Sequence, residues 1–168
     1  MIHVCSLERL PETVRATGAR SVVTLLGDEA LVQRPAEILP EHHLHLEMHD
    51  ICAPCDGRIC PQEHHVERLI SFVRAWDRAA PIVVHCYAGI SRSTAAAFVT
   101  ACTLAPERDE HTIARALRDA SPTAFPNALI VSLADRLLGR EGRMIAAVEA
   151  IAPHTPCVSA LPFRLGLA

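Results

Sequence analysis

The fold of this chain is set by residues 81–94, which read Pro81-Ile-Val-Val-His-Cys-Tyr-Ala-Gly-Ile-Ser-Arg-Ser-Thr94. The apolar run from Ile82 to Val84 is short and β-branched, which predicts a strand covered on both faces. From Ser91 onward the sequence becomes rich in alanine and predicts a helix. Residues 81–94 therefore predict a strand, a tight loop and a helix N-terminus in direct succession.

The residue types in the loop favour phosphate chemistry. A loop that closes into a helix N-terminus points several backbone N–H groups into one concavity, which suits a phosphate-sized anion. Cys86 lies at the start of the loop, where the same field favours the nucleophilic thiolate. Arg92 can hold two phosphate oxygens with its planar fork, and Gly89 lets the backbone turn where a Cβ would clash. These features predict a nucleophile that attacks phosphorus in a site that stabilises the developing charge.

The pattern His85-Cys86-x5-Arg92-Ser93 resembles the signature loop of the cysteine-dependent protein tyrosine phosphatases. The segment Ala-Gly-Ile-Ser-Arg-Ser is most similar to the dual-specificity branch. A second similarity, to the Ser-Pro-Asn segment of that branch, lies at Ser121-Pro-Thr-Ala-Phe-Pro-Asn127, although four residues intervene between Pro122 and Asn127. The resemblance spans roughly residues 40–138 and is strong only at the loop.

The resemblance implies a phosphatase that forms a cysteinyl-phosphate intermediate and needs neither a cofactor nor a metal. Cys86 would attack phosphorus, Ser93 would assist release of the thiolate, and His85 would order the loop. The phosphate oxygens would be held by the Arg92 side chain and by the backbone N–H groups of Tyr87, Ala88, Gly89, Ile90, Ser91 and Arg92.

The reaction also needs a general acid for the leaving oxygen. In the family this is an aspartate on a mobile loop that precedes the cysteine, and two candidates exist here. Asp50 directly follows a predicted strand, whereas Asp56 lies in Cys55-Asp56-Gly57, where Asp-Gly is a common turn pair. We favour Asp50, because the family's acid typically follows the strand beside the catalytic one.

The substrate implied by the resemblance is a phosphorylated protein, above all phosphotyrosine with possible dual specificity, or a small phosphomonoester. No lysine lies between Cys86 and Arg92, whereas family members that act on highly charged inositol phosphates usually carry basic residues there. Three other classes stay open. One is a non-catalytic phosphate-binding module on the same scaffold, and another is a sulfur-transfer enzyme of the rhodanese type, against which the Arg92-Ser93 spacing argues. The third is a zinc-binding regulatory module built on Cys52, Cys55 and Cys60.

A second group of cysteines, Cys52-x2-Cys55-x4-Cys60-x3-His64, has a spacing compatible with tetrahedral zinc. Incidental loop cysteines are the alternative. A third interpretation is a reversible disulfide between Cys86 and Cys52 or Cys55 that protects the thiolate. Four further histidines occur at strand spacing, which favours a solvated strand face over a metal site. They are His42, His43, His45 and His49.

Length and charge limit the remaining possibilities. A chain of 168 residues predicts one domain, 1–168, and a net charge of −3 gives no case for binding nucleic acid or an anionic membrane. The N-terminus does not resemble a signal peptide and no apolar run is long enough to span a bilayer, so we expect a cytoplasmic protein. Aromatic residues are only 4% of the chain, which predicts an aliphatic, alanine-rich core.

Strands and helices alternate along the chain. This order predicts an α/β fold with a small parallel sheet of about four to five strands, flanked by helices, with the ligand at the carboxyl ends of the strands. The predicted strands are 1–5, 21–26, 43–48 and the strand that begins at Ile82. The predicted helices are 11–17, 61–78, 91–104, 109–120, 127–138 and 143–151, with a helical turn near 28–31. The tail, 153–168, is predicted to lie along the body or on a second copy.

Overall fold

A computed structural model describes residues 1–167 of the chain. The strands are β1 (Ile2–Ser6), β2 (Ser21–Leu25), β3 (His43–Leu46), β4 (Ile82–Cys86) and β5 (Phe163–Leu165). The helices are α1 (Leu10–Thr17), α2 (Glu63–Ala75), α3 (Arg92–Leu104), α4 (Glu110–Ala120), α5 (Ala128–Leu137) and α6 (Arg143–Ala150), and short 3₁₀ turns occupy Glu29–Leu31 and Pro40–His42. No helix of the described residues is both long and apolar enough to cross a membrane.

The strands form one sheet in the order β3-β2-β4-β1-β5. The pairs β1–β4, β2–β4 and β2–β3 are parallel, which confirms the predicted parallel sheet. The fifth strand was not predicted: residues 163–165 pair antiparallel with β1, in the register Ile2↔Leu165. This part of the tail therefore lies along the body, and it covers an edge of β1 that would otherwise be open.

Helices cover the sheet on both faces. Alternate strand residues such as Val22 and Val83 pack with α1 residues Leu10 and Val14 in a small cluster. The opposite face, which carries Val84, packs in the main core with α2 to α6. All five residues of β4 are buried, as expected for a strand covered on two sides.

Helix α3 lies inside the molecule. Every residue from Arg92 to Thr103 is buried, and α2, α4, α5 and the sheet surround the helix. Its run of small side chains, Ala95 to Ala97, allows this close approach, which agrees with the predicted alanine-rich core. The N-terminus of α3, with its positive dipole end, therefore lies at the edge of a low-dielectric interior.

Helix α2 is shorter than its predicted range of 61–78. The side chain of Gln62 caps its first turn, and Nδ1 of His65 accepts a hydrogen bond from the Gln62 N–H at 3.1 Å, so the helix begins at Glu63. It ends before Trp76, whose backbone is extended, and Arg78 has a positive φ of 62°. Apolar periodicity continues through these positions, which is why the sequence predicted a longer helix.

Candidate active site

The predicted loop connects the end of β4 directly to the first turn of α3. Cys86 is the last residue of β4 and is 2% exposed. Its Sγ lies 3.1 Å from the hydroxyl of Ser93, which is fully buried in the first turn of α3. The thiol thus lies beneath the loop, next to a hydroxyl that can donate to its anion.

The loop packs tightly against the end of β1. Gly89 has a φ of 75°, and a Cβ at this position would lie 2.9 Å from the backbone carbon of Cys5 and the backbone nitrogen of Ser6. No other residue fits there without moving β1, because the conflict is with backbone atoms. The glycine therefore serves both the turn and the close contact between loop and sheet.

Four carbonyl groups of the loop, those of Tyr87, Ala88, Ile90 and Ser91, accept hydrogen bonds from neighbouring segments. The N–H of Leu7 donates to Tyr87 at 3.1 Å, and the N–H of Ala160 donates to Ala88 at 2.9 Å. The N–H of Phe125 donates to Ile90 at 2.9 Å, and the N–H of Asn127 donates to Ser91 at 3.3 Å. A trans peptide is planar, so each such carbonyl turns the N–H of the next residue to the opposite side. This arrangement leaves the N–H groups of residues 88, 89, 91 and 92 able to face a bound anion.

The guanidinium of Arg92 is 8% exposed and is held beside the segment that follows β3. Its Nη1 donates to the carbonyl of Met48 at 2.8 Å. Its Nε is buried, has no hydrogen-bond partner among the described residues, and lies 4.0 Å from Oδ2 of Asp50. The side chain is thus fixed by one nitrogen and retains others for a phosphate.

Asp50 belongs to the same pocket as Cys86, whereas Asp56 does not. Oδ1 of Asp50 accepts hydrogen bonds from the Ser91 hydroxyl at 2.7 Å and from Nδ2 of Asn127 at 2.9 Å. Asp56 is exposed in a turn closed by the Arg58 N–H and the Cys55 carbonyl. Asp50 therefore lies beside Cys86 and Arg92, and Asp56 lies outside the lining of this pocket.

The sequence did not predict that Ser91 and Asn127 would hold the aspartate. Ser91 was expected to contribute only its N–H, and Asn127 was noted only as part of the Ser-Pro-Asn similarity. Asn127 also accepts from the N–H groups of Leu129 and Ile130 at 3.1 Å and so caps α5. A cap residue is visible in sequence, but its contact with Asp50, 77 positions away, is not.

The pocket has a volume of about 690 Å³ and extends from Cys86 and Arg92 toward the C-terminal end of α6. Its far wall is mostly apolar, with Arg118 and Glu149 as its charged residues. The apolar residues are Ile51, Ile90, Phe125, Pro126, Val148 and Ile151. Phe125 is half exposed and stacks on His154, with ring centroids 4.3 Å apart. Part of the tail thus supports an aromatic side chain of the pocket.

His85 points away from the pocket, to the face of the sheet that α1 covers. Its Nε2 lies 2.7 Å from the hydroxyl of Thr24. Burial lowers the pKa of His85 to about 3, so the ring is neutral at physiological pH. Thr24 could have been suspected from the sequence, because a threonine in a buried apolar strand needs a polar partner.

The cysteine-rich loop does not assemble the zinc set considered from the sequence. Cys52 and Cys55 are exposed and Cys60 is half-buried, and the described residues hold no group of three or more His, Cys, Asp or Glu placed to bind a metal. His65 instead takes part in the cap of α2. All seven cysteines are free, and of the two partners considered for Cys86 only Cys52 lines its pocket.

The remaining histidines have separate positions. His43 and His45 share one half-buried face of β3 and line a second pocket together with His64 and His65. Nδ1 of His49 accepts a hydrogen bond from the N–H of Ile59 at 2.9 Å, and His42 is exposed. The expected solvated strand face is therefore only partly correct, since His43 and His45 also make internal hydrogen bonds.

The chain belongs to the protein-tyrosine phosphatase family, whose model matches residues 42–125, half of its length. The solved structure of human DUSP28 has a TM-score of 0.65 at 16% identity and covers 83% of this chain and 92% of that chain. The Cydia pomonella PTP-2 phosphatase has a TM-score of 0.62 at 20% identity, over 80% of this chain and 84% of that chain.

A further similar structure is the human tyrosine phosphatase-like serine/threonine/tyrosine-interacting protein, with a TM-score of 0.64 at 13% identity, over 83% and 92% of the two chains. A search of curated protein sequences finds no significant match. The predicted resemblance and α/β fold are thus confirmed, while identities this low show the fold of these neighbours and not their substrates.

Proposed function

We propose that this chain hydrolyses phosphate monoesters through a cysteinyl-phosphate intermediate, with protein phosphotyrosine as its main substrate. The observation that carries the proposal is the convergence of Cys86, Arg92 and Asp50 on one pocket. A nucleophile, a phosphate-binding cation and a proton donor are the parts that this reaction needs.

In the first step the thiolate of Cys86 attacks phosphorus, and the bond between phosphorus and the ester oxygen breaks. Asp50 in its protonated form gives its proton to the leaving oxygen. Arg92 and the loop N–H groups hold the non-bridging oxygens, where charge is spread in the transition state. The buried N-terminus of α3 adds a fixed positive dipole at the same place.

In the second step a water molecule attacks the cysteinyl-phosphate, and the sulfur–phosphorus bond breaks. Asp50, now a carboxylate, takes a proton from the water. The departing thiolate accepts a hydrogen bond from the hydroxyl of Ser93, which lies 3.1 Å from it. The cycle returns Asp50 to its protonated form and releases inorganic phosphate.

The pocket favours an aromatic phosphate ester over a highly charged one. Its far wall is mostly apolar, and the loop residues between Cys86 and Arg92 carry no basic side chain. An aryl ring attached to the phosphate can contact Ile51 and Phe125. A second phosphate group would meet one cation beyond the loop, Arg118, whose guanidinium already donates to backbone carbonyls.

A non-catalytic phosphate-binding module is the second candidate, and one observation favours it. Asp50 is held by two donors and lies 4.0 Å from the Arg92 guanidinium, so its carboxylate can close the cradle without transferring a proton. Such a protein would bind phosphotyrosine and release it unchanged.

Hydrolysis by the purified protein separates these candidates. We expect turnover of p-nitrophenyl phosphate and of a phosphotyrosine peptide, with less turnover of a phosphoserine peptide and of an inositol phosphate. Cys86→Ser should abolish turnover and retain phosphate binding, and Arg92→Lys should lose most activity because lysine lacks the planar fork.

Trapping tests the intermediate directly. Acid quenching of a reaction with a ³²P-labelled phosphotyrosine peptide should leave label on the wild-type protein and none on Cys86→Ser. Binding of the peptide without hydrolysis would establish the second candidate. Sulfur transfer from thiosulfate, without phosphatase activity, would instead establish the rhodanese-type alternative.

A further inference from the structure

The tail segment 154–165 is fixed to the body at both of its ends. At its start, the ring of His154 stacks on Phe125, with centroids 4.3 Å apart, and the N–H of Thr155 donates to the carbonyl of Pro122 at 2.8 Å. At its end, β5 pairs antiparallel with β1. The first of these contacts lies beside the pocket, because Phe125 is one of the pocket's lining residues.

Between these two ends the segment contacts the loop that joins β4 to α3. The N–H of Ala160 donates to the carbonyl of Ala88 at 2.9 Å. Ala160 is 4% exposed and is the only buried residue in the range 156–162. It is also the only residue in this range whose N–H donates a hydrogen bond to another described residue. The middle of the segment therefore contacts the body through Ala160 in particular.

This hydrogen bond fixes the peptide plane between Ala88 and Gly89. Since the peptide is planar and its carbonyl faces Ala160, the N–H of Gly89 is turned to the opposite side, where it can meet a bound anion. Gly89 has a φ of 75° and lacks a Cβ, so its own conformational preference is weak. The orientation of this N–H thus depends on the contact that the tail makes with the Ala88 carbonyl.

We propose that Ala160 is a positioning residue of the phosphate site: through the Ala88 carbonyl it holds the Gly89 N–H toward the bound phosphate. The phosphate part of this inference rests on the proposed function, whereas the hold on the loop does not. A loop that is ordered beforehand binds an anion more tightly, because less conformational entropy is lost on binding. The tail would thus act on the site although no described residue after Ala152 lines the pocket.

Coupling between two binding events is reciprocal. If the Ala160 hydrogen bond strengthens phosphate binding, bound phosphate must strengthen this hydrogen bond by the same factor. We expect a factor of about five, as for one ordinary hydrogen bond. Hydrogen exchange of the Ala160 N–H, measured by NMR on the wild-type protein, should therefore slow about fivefold when inorganic phosphate saturates the site. Exchange of the Val158 N–H, in a residue that is 95% exposed, should not change.

Ala160→Pro removes the N–H donor. It should weaken binding of inorganic phosphate about fivefold in an NMR titration, because the Gly89 N–H is no longer held in place. It should also lower the ¹H–¹⁵N heteronuclear NOE of Gly89 in the absence of phosphate, which reports a more mobile peptide plane. Ala160→Gly keeps the N–H and should resemble wild type in both measurements.

Ser159→Pro is the matched control. It makes the same backbone change one position earlier, at an exposed residue whose N–H donates to no other described residue. It should leave the phosphate affinity and the Gly89 NOE as in wild type. Equal effects of Ser159→Pro and Ala160→Pro would assign the loss to proline in the tail and would overturn the role of the Ala160 N–H.

Urea unfolding of the same preparations separates positioning from stability. A lower free energy of unfolding in Ala160→Pro, with unchanged Gly89 NOE and unchanged phosphate affinity, would mean that the contact is only structural. If Ala160→Pro does not fold, the exchange measurement on the wild-type protein decides instead, and an Ala160 N–H that exchanges equally with and without phosphate refutes the inference.

Failure of the proposed function gives a different result. If the wild-type protein binds no phosphate, the proposed function and the phosphate part of the inference both fail, while the Gly89 NOE in Ala160→Pro still decides whether the tail holds the loop. If the protein is a phosphatase, kcat/KM for the phosphotyrosine peptide should fall about fivefold in Ala160→Pro and stay near wild type in Ser159→Pro.

Discussion

Two aspartates in one loop, Asp50 and Asp56, differ in what surrounds them. Asp50 comes shortly after the end of β3. The backbone just before it is fixed, because Arg92 donates a hydrogen bond to the Met48 carbonyl. Two donors then fix its side chain in the pocket. Asp56 lies at the exposed tip of a turn, with Gly57 at a φ of 71°. Of these two, Asp50 lines the pocket that contains Cys86 and Asp56 does not.

Substitution of each aspartate by asparagine tests this assignment. Asp50→Asn should lower kcat for a phosphotyrosine peptide by about 10²-fold or more, because general acid catalysis contributes that much. The loss should be smaller for p-nitrophenyl phosphate, whose leaving group needs less protonation. Steady-state kinetics on both substrates provide the measurement.

Asp56→Asn is the control, since it makes the same chemical change in the same loop. It should leave both rates near wild type. A selective loss with Asp56→Asn and none with Asp50→Asn would transfer the acid role to Asp56 and would require the loop to move.

At the scale of elements, the start of α5 links the loop between β4 and α3 to Asp50. Asn127 caps α5 with its oxygen, donates to Asp50 with its Nδ2, and bonds the Ser91 carbonyl with its backbone N–H. One residue thus fixes the helix, the aspartate and the phosphate loop relative to one another.

Substitutions of Asn127 separate these contributions. Asn127→Asp keeps an oxygen that can cap α5 but replaces the donor to Asp50 with a second carboxylate. It should lower kcat about tenfold or more, because a carboxylate at this distance repels Asp50. Asn127→Ala should also lower the free energy of unfolding by about 1 kcal/mol, through loss of the cap.

Urea unfolding and kinetics of the same preparations distinguish the outcomes. If both variants lose stability equally and activity only in proportion, Asn127 is a cap alone and its contact with Asp50 has no catalytic effect.

Sequence patterns predicted most elements because their signals are local. β-branched runs gave β1, β2 and β4, and apolar periodicity with caps gave the helices. β5 was missed because three residues in a proline-containing tail have no period of their own; they become a strand only by pairing with β1. Cys86, Arg92 and Asp50 were predicted from loop spacing and strand order, whereas the contacts of Thr24, His43 and Asn127 join distant segments and leave no local signal in the sequence.

At the scale of the whole molecule, the sheet contains a histidine that stays neutral at its centre. β4 lies between β2 and β1, and helices cover both faces, so His85 has no access to water. Its ordinary pKa of 6.5 falls to about 3 in the folded protein, with burial as the largest cause. Folding therefore competes with protonation of this ring below neutral pH.

The sign of the effect on stability follows from proton binding. Between pH 6.5 and about 3 the unfolded chain holds a proton on His85 and the folded chain does not, so stability falls as pH falls through this window. Below about pH 5.5 this one group should contribute a slope of about 1.4 kcal/mol per pH unit to the free energy of unfolding.

Urea unfolding at pH 7, 6, 5 and 4.5 measures this slope. His85→Gln, which cannot take up a proton, should show a slope smaller by about that amount, while the exposed His42→Gln should match wild type. Identical slopes for His85→Gln and wild type would mean that His85 protonates within the folded protein and that the interior around β4 admits water.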